Sequence, residues 1–283
     1  MNKKLLIIVA MTLLLSACSS KFAYNNLDWL VHWYLDDYIE LTKEQEDLFD
    51  GYFSKWHQWH RSEELDKYVA QLKALKQDIE QDELNAESMA SHLDSATTHW
   101  TRLINELAPE LAVLAKNLDE EQVESLFASL EDENVKSEEK LLKNADLDEK
   151  EKLEKRQESL YDDLKERVGR LSKSQKAIVD SYSPKFVPTG LQNIEYRRRI
   201  QQAAKTLFEN KDSNANFEQD LVYLLTHTDE FRGEKYIADS DHNRALYTAM
   251  MSDVLPTLSS KQKRKLIKQI QDMIEDFEDL SEA

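Results

Sequence analysis

The chain is poor in residues that make tight turns: only 4 glycines and 4 prolines occur among 283 residues. Sandwiches, barrels and dinucleotide-binding sheets need many such turns, so those folds are excluded. A single cysteine, Cys18, leaves nothing from which to build a disulfide. Positive charge is short too, with 37 Lys and Arg against 55 Asp and Glu, a formal net charge of −18. Nucleic-acid binding depends on cations that displace counterions from phosphate, so no nucleic-acid partner is expected. The longest apolar run, Leu5 to Leu15, falls short of the roughly 20 residues that span a bilayer as a helix. Gly-rich phosphate loops, a nucleophile elbow and dense ligand clusters are missing, so neither an enzyme nor a cofactor is expected. Paired carboxylates carry no information in so acidic a chain.

What is present begins at the N-terminus. Asn2, Lys3 and Lys4 make a short basic start, and the 11-residue run from Leu5 to Leu15 fits the apolar region of a secretory signal. It ends in Leu15-Ser16-Ala17-Cys18, which resembles the lipobox of bacterial lipoproteins. That resemblance implies cleavage before Cys18, with acyl chains such as palmitate on its thiol and new amino group. Such chains exceed the two-signal threshold for stable anchoring. Ser19 stands where, by the same resemblance, an Asp would favour retention at the inner membrane. The expectation is an outer-membrane lipoprotein facing the periplasm; an ordinary signal peptide with a chance cysteine is the alternative. Residues 1–17 are then the signal peptide. Residues 18–26 become a lipidated tether of about 30 Å when extended.

The mature chain reads as helix throughout. Leu27, Leu30, Val31, Tyr34, Leu35 and Tyr38 recur at helical spacing, as do Leu65, Tyr68, Val69, Leu72, Leu75 and Ile79. Leu266, Ile267, Ile270, Met273, Ile274 and Phe277 form the last such stripe. Sustained two-residue alternation occurs nowhere. The fold class is all-α, a multi-helix bundle.

One pentad appears four times: LTKEQ from Leu41, LDEEQ from Leu118, LSKSQ from Leu171 and LSSKQ from Leu258. The spacing is that of a capping box. Thr42, Asp119, Ser172 or Ser259 accepts from the third helical amide, while Gln45, Gln122, Gln175 or Gln262 reaches back to the cap's own N–H. Around the first and third copies the match extends at a constant offset of 130, from Gln45, Leu48, Phe49, Asp50 and Tyr52 to Gln175, Ile178, Val179, Asp180 and Tyr182. Around the second and fourth the offset is 140, from Leu111, Leu114, Leu118, Gln122, Leu126 and Phe127 to Met251, Val254, Leu258, Gln262, Leu266 and Ile267. This predicts a tandem duplication, with helical units at 27–131 and 171–283. Between them, 24 of the 40 residues from Glu131 to Arg170 are charged. The connector 132–170 is expected as one long, solvated helix, or else as a disordered linker.

The pentads resemble the LTxxQ motif of the small periplasmic stress chaperones typified by spheroplast protein Y. Leu41, Thr42 and Gln45 match it fully; the other copies match at Leu and Gln, with Ser or Asp at the cap. The resemblance implies an all-α protein whose paired chains cradle unfolded clients, and four motifs here imply a pseudo-dimer. This chain departs from it in its acidity, its length and its lipobox. A wider likeness is to an uncharacterised family of bacterial lipoproteins. It shares the lipobox, the opening WYLDDYIELTKEQ from Trp33 and the segment HRSEEL from His60.

Three further groups are candidates. His57 and His60 lie one helical turn apart and can share a metal, but a site of this kind needs a third ligand. Otherwise they are polar tips beside Trp56 and Trp59. Trp29, Trp33, Trp56 and Trp59 form either a client-binding or membrane-interface face, or an aromatic core between the first helices. Arg197, Arg198 and Arg199, with the lysines near the start of the last helix, either dock an acidic partner or pair internally. The expected partners are the membrane, through Cys18, and other envelope proteins or unfolded clients.

Overall fold

The computed structural model describes residues 19–282; Cys18 and the expected signal peptide lie outside the described residues. The elements in chain order are α1 (Ser19–Asn25), α2 (Leu27–Leu35), α3 (Lys43–Trp59), α4 (Leu65–Glu80), α5 (Ala86–Lys116) and α6 (Glu120–Ala145). They continue as α7 (Glu149–Val168), α8 (Lys173–Tyr182), α9 (Gly190–Glu209), α10 (Phe217–Thr226), α11 (Glu234–Val254) and α12 (Ser260–Glu282). No strand occurs among the described residues, so the protein is an all-α bundle.

Local chemistry sets the corners. Capping boxes start α3, α5, α6, α7 and α8, each with a side chain accepting from the third helical amide. Pro184 and Pro256 sit in single 3-10 turns after α8 and α11, where a missing N–H ends the helix. Gly169 caps α7 at φ 87°, a left-handed conformation that favours glycine.

Two expectations need correction. The charged stretch 132–170 is not one helix: α6 runs on to Ala145, and α7 begins anew at Glu149. Asp148 and Glu151 form a capping box there, and a cap side chain bonded to the third amide marks a new helix start. Nor is this stretch merely solvated, because α7 buries Leu164 and Val168. The segment expected as an extended tether is helical from Ser19 to Asn25, a rise of only about 10 Å. It is held by Lys21 to Asp276 and Asp279, and by Asn25 to Arg61.

The packing crosses between the two units. Helix α4 lies along α12, where Val69, Ile79, Ile270 and Ile274 bury one another. Helix α6 lies along α9, α5 touches α11, α3 packs on α5 and α8 on α11. The offsets of 130 and 140 carry α3, α4, α5 and α6 onto α8, α9, α11 and α12. Under that exchange the α4–α12 contact becomes α9–α6, α3–α5 becomes α8–α11, and α5–α11 maps onto itself. This is the contact pattern of an isologous dimer drawn in one chain. Helix α10 has no counterpart; its Phe217, Leu221 and Leu224 are buried with Ala112 of α5. A further core gathers Leu164, Val168, Val179, Met250 and Val254. Each such side chain contributes about 1.5–3 kcal/mol on leaving water.

Candidate functional site

All four pentads lie at helix starts, and each glutamine does more than cap. Gln45 Oε1 accepts from Thr42 N (2.8 Å), and its Nε2 donates to Gln122 Oε1 (2.9 Å) and to the Asn117 carbonyl (2.8 Å). Gln122 answers with Oε1 accepting from Asp119 N (3.0 Å) and Nε2 donating to Gln45 Oε1 (2.6 Å) and the Glu40 carbonyl (2.7 Å). Gln175 and Gln262 repeat this arrangement. Their amides exchange bonds at 3.2 and 3.0 Å and donate to the carbonyls of Thr257 and Arg170. Ser172 N and Ser259 N close the two caps.

In each case the accepting carbonyl belongs to the residue just before the partner pentad's leucine: Leu118, Leu41, Leu258 or Leu171. Motif one is therefore clasped to motif two, and motif three to motif four, by the same set of bonds. A planar amide offering both donor and acceptor fits this role; a carboxylate has no donor to give. The Gln175–Gln262 clasp is buried, with Gln175 fully enclosed. The sequence shows the caps, but the pairing between them follows only from the fold. One signal was available: the third helical position is Gln in every copy, although Glu caps equally well.

A second cluster lies where α3 meets α4. The helix widens there into a single π turn, His60–Glu64, a feature common at functional positions. Glu64 is wholly buried. Arg102 Nε donates to both its oxygens (2.9 and 3.1 Å) and Lys67 Nζ to one (2.6 Å), while His99 stands 3.7 Å away. Burial alone pushes the Glu64 carboxyl up, but the bonds and charges of Arg102 and Lys67 outweigh it and hold the group below its usual range. His99 donates through Nε2 to Gln71 Oε1 and accepts at Nδ1 from Arg102, so it is neutral. Burial and the Arg102 charge lower its pKa. These partners were missed in the sequence. The available signal was the helical spacing of Glu64, Tyr68, Gln71 and Leu75, which puts a carboxylate on an apolar stripe.

His60 uses both ring nitrogens on tyrosines, Nδ1 with Tyr24 Oη (2.9 Å) and Nε2 with Tyr68 Oη (3.2 Å). Burial lowers its pKa, as it does for His57, which packs against Tyr24 and Phe53. Both ring nitrogens of His60 are taken up by tyrosines, and no group of three or more His, Cys, Asp or Glu gathers among the described residues. His60 ties α1 to the body of the bundle.

The tryptophans divide. Trp56 is core, packed edge-on against Phe49 with Nε1 3.5 Å from Glu110. Trp33 and Trp59 are half-buried, and Trp29 is exposed, as are Phe22 of α1 and Tyr34 of α2. No residue of α2 is fully buried. Two of the three arginines are paired within the chain. Arg198 is held by Glu131 (2.7 Å) and Glu138 (2.8 Å), and Arg199 by Glu195. Arg197 is half-buried. Three lysines of the last helix, Lys263, Lys265 and Lys268, also pair internally. Lys263 reaches Asp82 (2.8 Å), and Lys265 donates to the Glu166 carbonyl (2.7 Å) at the negative end of α7.

Among the described residues no helix is long and apolar enough to cross a membrane. No curated protein and no solved structure matches the chain. One family does match, over residues 37–237, from just before the first pentad to the start of α11. That span includes three of the four pentads and the whole π-turn cluster, and the chain therefore belongs to DUF6279, a family of unknown function.

Proposed function

We propose that the chain is a non-enzymatic, outer-membrane lipoprotein, anchored through Cys18 with its helical body in the periplasm, that binds other envelope proteins in a chaperone-like manner. The observation that carries this reading is the repeated clasp. Four Leu–Gln pentads make two equivalent pairings, and the helices exchange contacts as in a fused pair of chains. That supports a tandem duplication and the likeness to paired stress chaperones. A second reading is a structural adaptor lying on one envelope partner or on lipid, and one comparison favours a wet, amphipathic role for α2. The offset of 130 sets Tyr34 and Tyr38 against Leu164 and Val168 of α7. The α7 residues are 1% and 3% exposed, whereas Tyr34 is 56% exposed and Tyr38 half-buried. Aromatic rings with polar tips suit a half-wet boundary beside an anchored Cys18.

The anchor is tested in cells fed an alkyne fatty acid: the wild-type chain takes up label and sediments with outer membrane, and Cys18→Ser does neither. The holdase reading is tested by mixing the protein with a reduced client. Unchanged aggregation at equimolar protein removes it and leaves the adaptor.

A further inference from the structure

The start of α6 and the end of α9 enclose an open groove of about 770 Å3. Val123, Phe127 and Phe208 make an apolar, half-buried floor, with the two phenyl rings edge to face at 5.7 Å. The rim is acidic. Glu131 is committed to Arg198, and the Lys211 ammonium to the Leu118 carbonyl. Glu120, Glu124, Glu209 and Asp212 remain exposed with Lys205 as a cation beside them, and no ion pair engages these five among the described residues.

The offsets relate this groove to one between α12 and α4, lined by Ile79, Asp82, Leu258, Ser260 and Lys263. There Lys263 bridges the gap to Asp82 (2.8 Å) and to the Glu80 carbonyl (3.1 Å), so the rim carries its own counter-charge. The residue related to Lys263 is Val123, so no lysine spans the groove there, and Lys205 offsets only part of the acidic rim. The α6–α9 groove thus keeps an apolar floor under a rim with a surplus of carboxylates. A ligand carrying both cations and an apolar face removes both penalties at once.

We propose that this groove takes a cationic amphipathic segment of another polypeptide, its apolar side chains on Phe127 and Phe208 and its Lys or Arg residues on the rim. The proposal rests on the protein-binding reading above and names the chemistry of the bound partner. The test uses the full chain in nanodiscs of zwitterionic lipid, with empty discs as the blank, and a fluorescein-labelled amphipathic helix of Leu and Lys read by anisotropy. Glu124→Lys with Glu209→Lys is expected to weaken binding about tenfold or more, since exposed rim charges are lost and reversed. The control, Glu106→Lys with Glu139→Lys, makes the same net charge change away from the groove and is expected to cost less than about twofold. The milder Glu124→Gln with Glu209→Gln is expected to fall between them. A peptide with Ser in place of Leu is expected to bind about tenfold more weakly, having lost its apolar contact.

Equal weakening by both reversals, or equal binding of the Ser peptide, reduces the effect to the chain's overall negative field and overturns the proposal. Refusal of the Leu/Lys peptide overturns it as well. In-cell crosslinking separates the two levels: envelope proteins captured while the peptide is refused leave the protein-binding reading standing, and no captured protein removes both.

Discussion

Replacing Gln175 by Glu separates a capping role from a clasping one. In a capping box Glu and Gln serve equally, and a carboxylate in the first turn also gains from the helix dipole. A glutamine that only caps α8 therefore predicts that Gln175→Glu is neutral or slightly stabilising. The clasp predicts the opposite. Gln175 Nε2 donates to the Thr257 carbonyl and to Gln262 Oε1, both at 3.2 Å, in a site with no exposure to water. A carboxylate leaves the Thr257 carbonyl without this donor, takes one of several donors from Gln262 Oε1, and sets like partial charges together. A buried polar group left unsatisfied costs about 1–3 kcal/mol, and the expected loss is of that size. The assay is urea unfolding followed by circular dichroism, with midpoint and slope compared with wild type.

Acidity gives a second readout. Burial beside carbonyls raises the pKa of the introduced carboxyl above its unfolded value of about 4.3. Its penalty is complete above the folded pKa and shrinks as pH falls through it, because the protonated acid regains one donor. The gap from wild type must therefore narrow on acidification, opposite to an ordinary native carboxylate. A Gln175→Ala, Gln262→Ala cycle should show coupling of about 1–3 kcal/mol. Wild-type stability in Gln175→Glu, or additive alanine effects, refutes the clasp.

Arg102→Met strips the buried Glu64 of its two-bond partner and should cost about 3 kcal/mol in urea unfolding. Adding Glu64→Ile, which copies the buried Ile194 at the related position, should restore most of that loss. His57, His60 and His99 have folded pKa values lowered from 6.5, so the unfolded chain binds more protons and stability must fall as pH drops below about 6.5. His60→Gln should flatten that decline in midpoints taken between about pH 7.5 and 5. Asp148→Ala removes the cap that starts α7 and should cost about 0.5–2 kcal/mol, with faster amide exchange confined to the first turn from Glu149. Wild-type exchange there would show that packing alone sets the break.

The helical class and every pentad corner were legible because they rest on local spacing: apolar stripes at 3.6 residues and a cap bonded three residues on. The split near Asp148 was equally local, since Asp148 and Glu151 have capping-box spacing, but the surrounding charge masked it as a uniform helix. The clasps were not legible, since Gln45 and Gln122 are 77 residues apart and their pairing depends on two corners meeting. The π-turn cluster escaped for a similar reason: Glu64 finds Arg102 and His99 on another helix, and composition treats all three as surface charge. Whether Arg198 docks a partner or pairs internally could not be decided from the sequence, because its partners Glu131 and Glu138 lie 67 and 60 residues away. The tryptophans, read as one group, sort by helix: Trp56 faces α5 and Trp29 faces outward.

A homodimer's faces must suit their own copies, so any change at one seam is imposed on its twin. Covalent joining of the related halves lifts that obligation. Ile274 and Asn134 hold related places on α12 and α6, and both are fully enclosed, yet one sits among aliphatic neighbours while the other bonds Gln201 at 2.6 Å. At this place one seam is aliphatic and the other polar. Swapping α6 for α12 would leave an amide stranded in oil on one side and an isoleucine facing glutamine on the other. On the tandem-duplication reading, the two halves are therefore not interchangeable, and the chain has a front and a back.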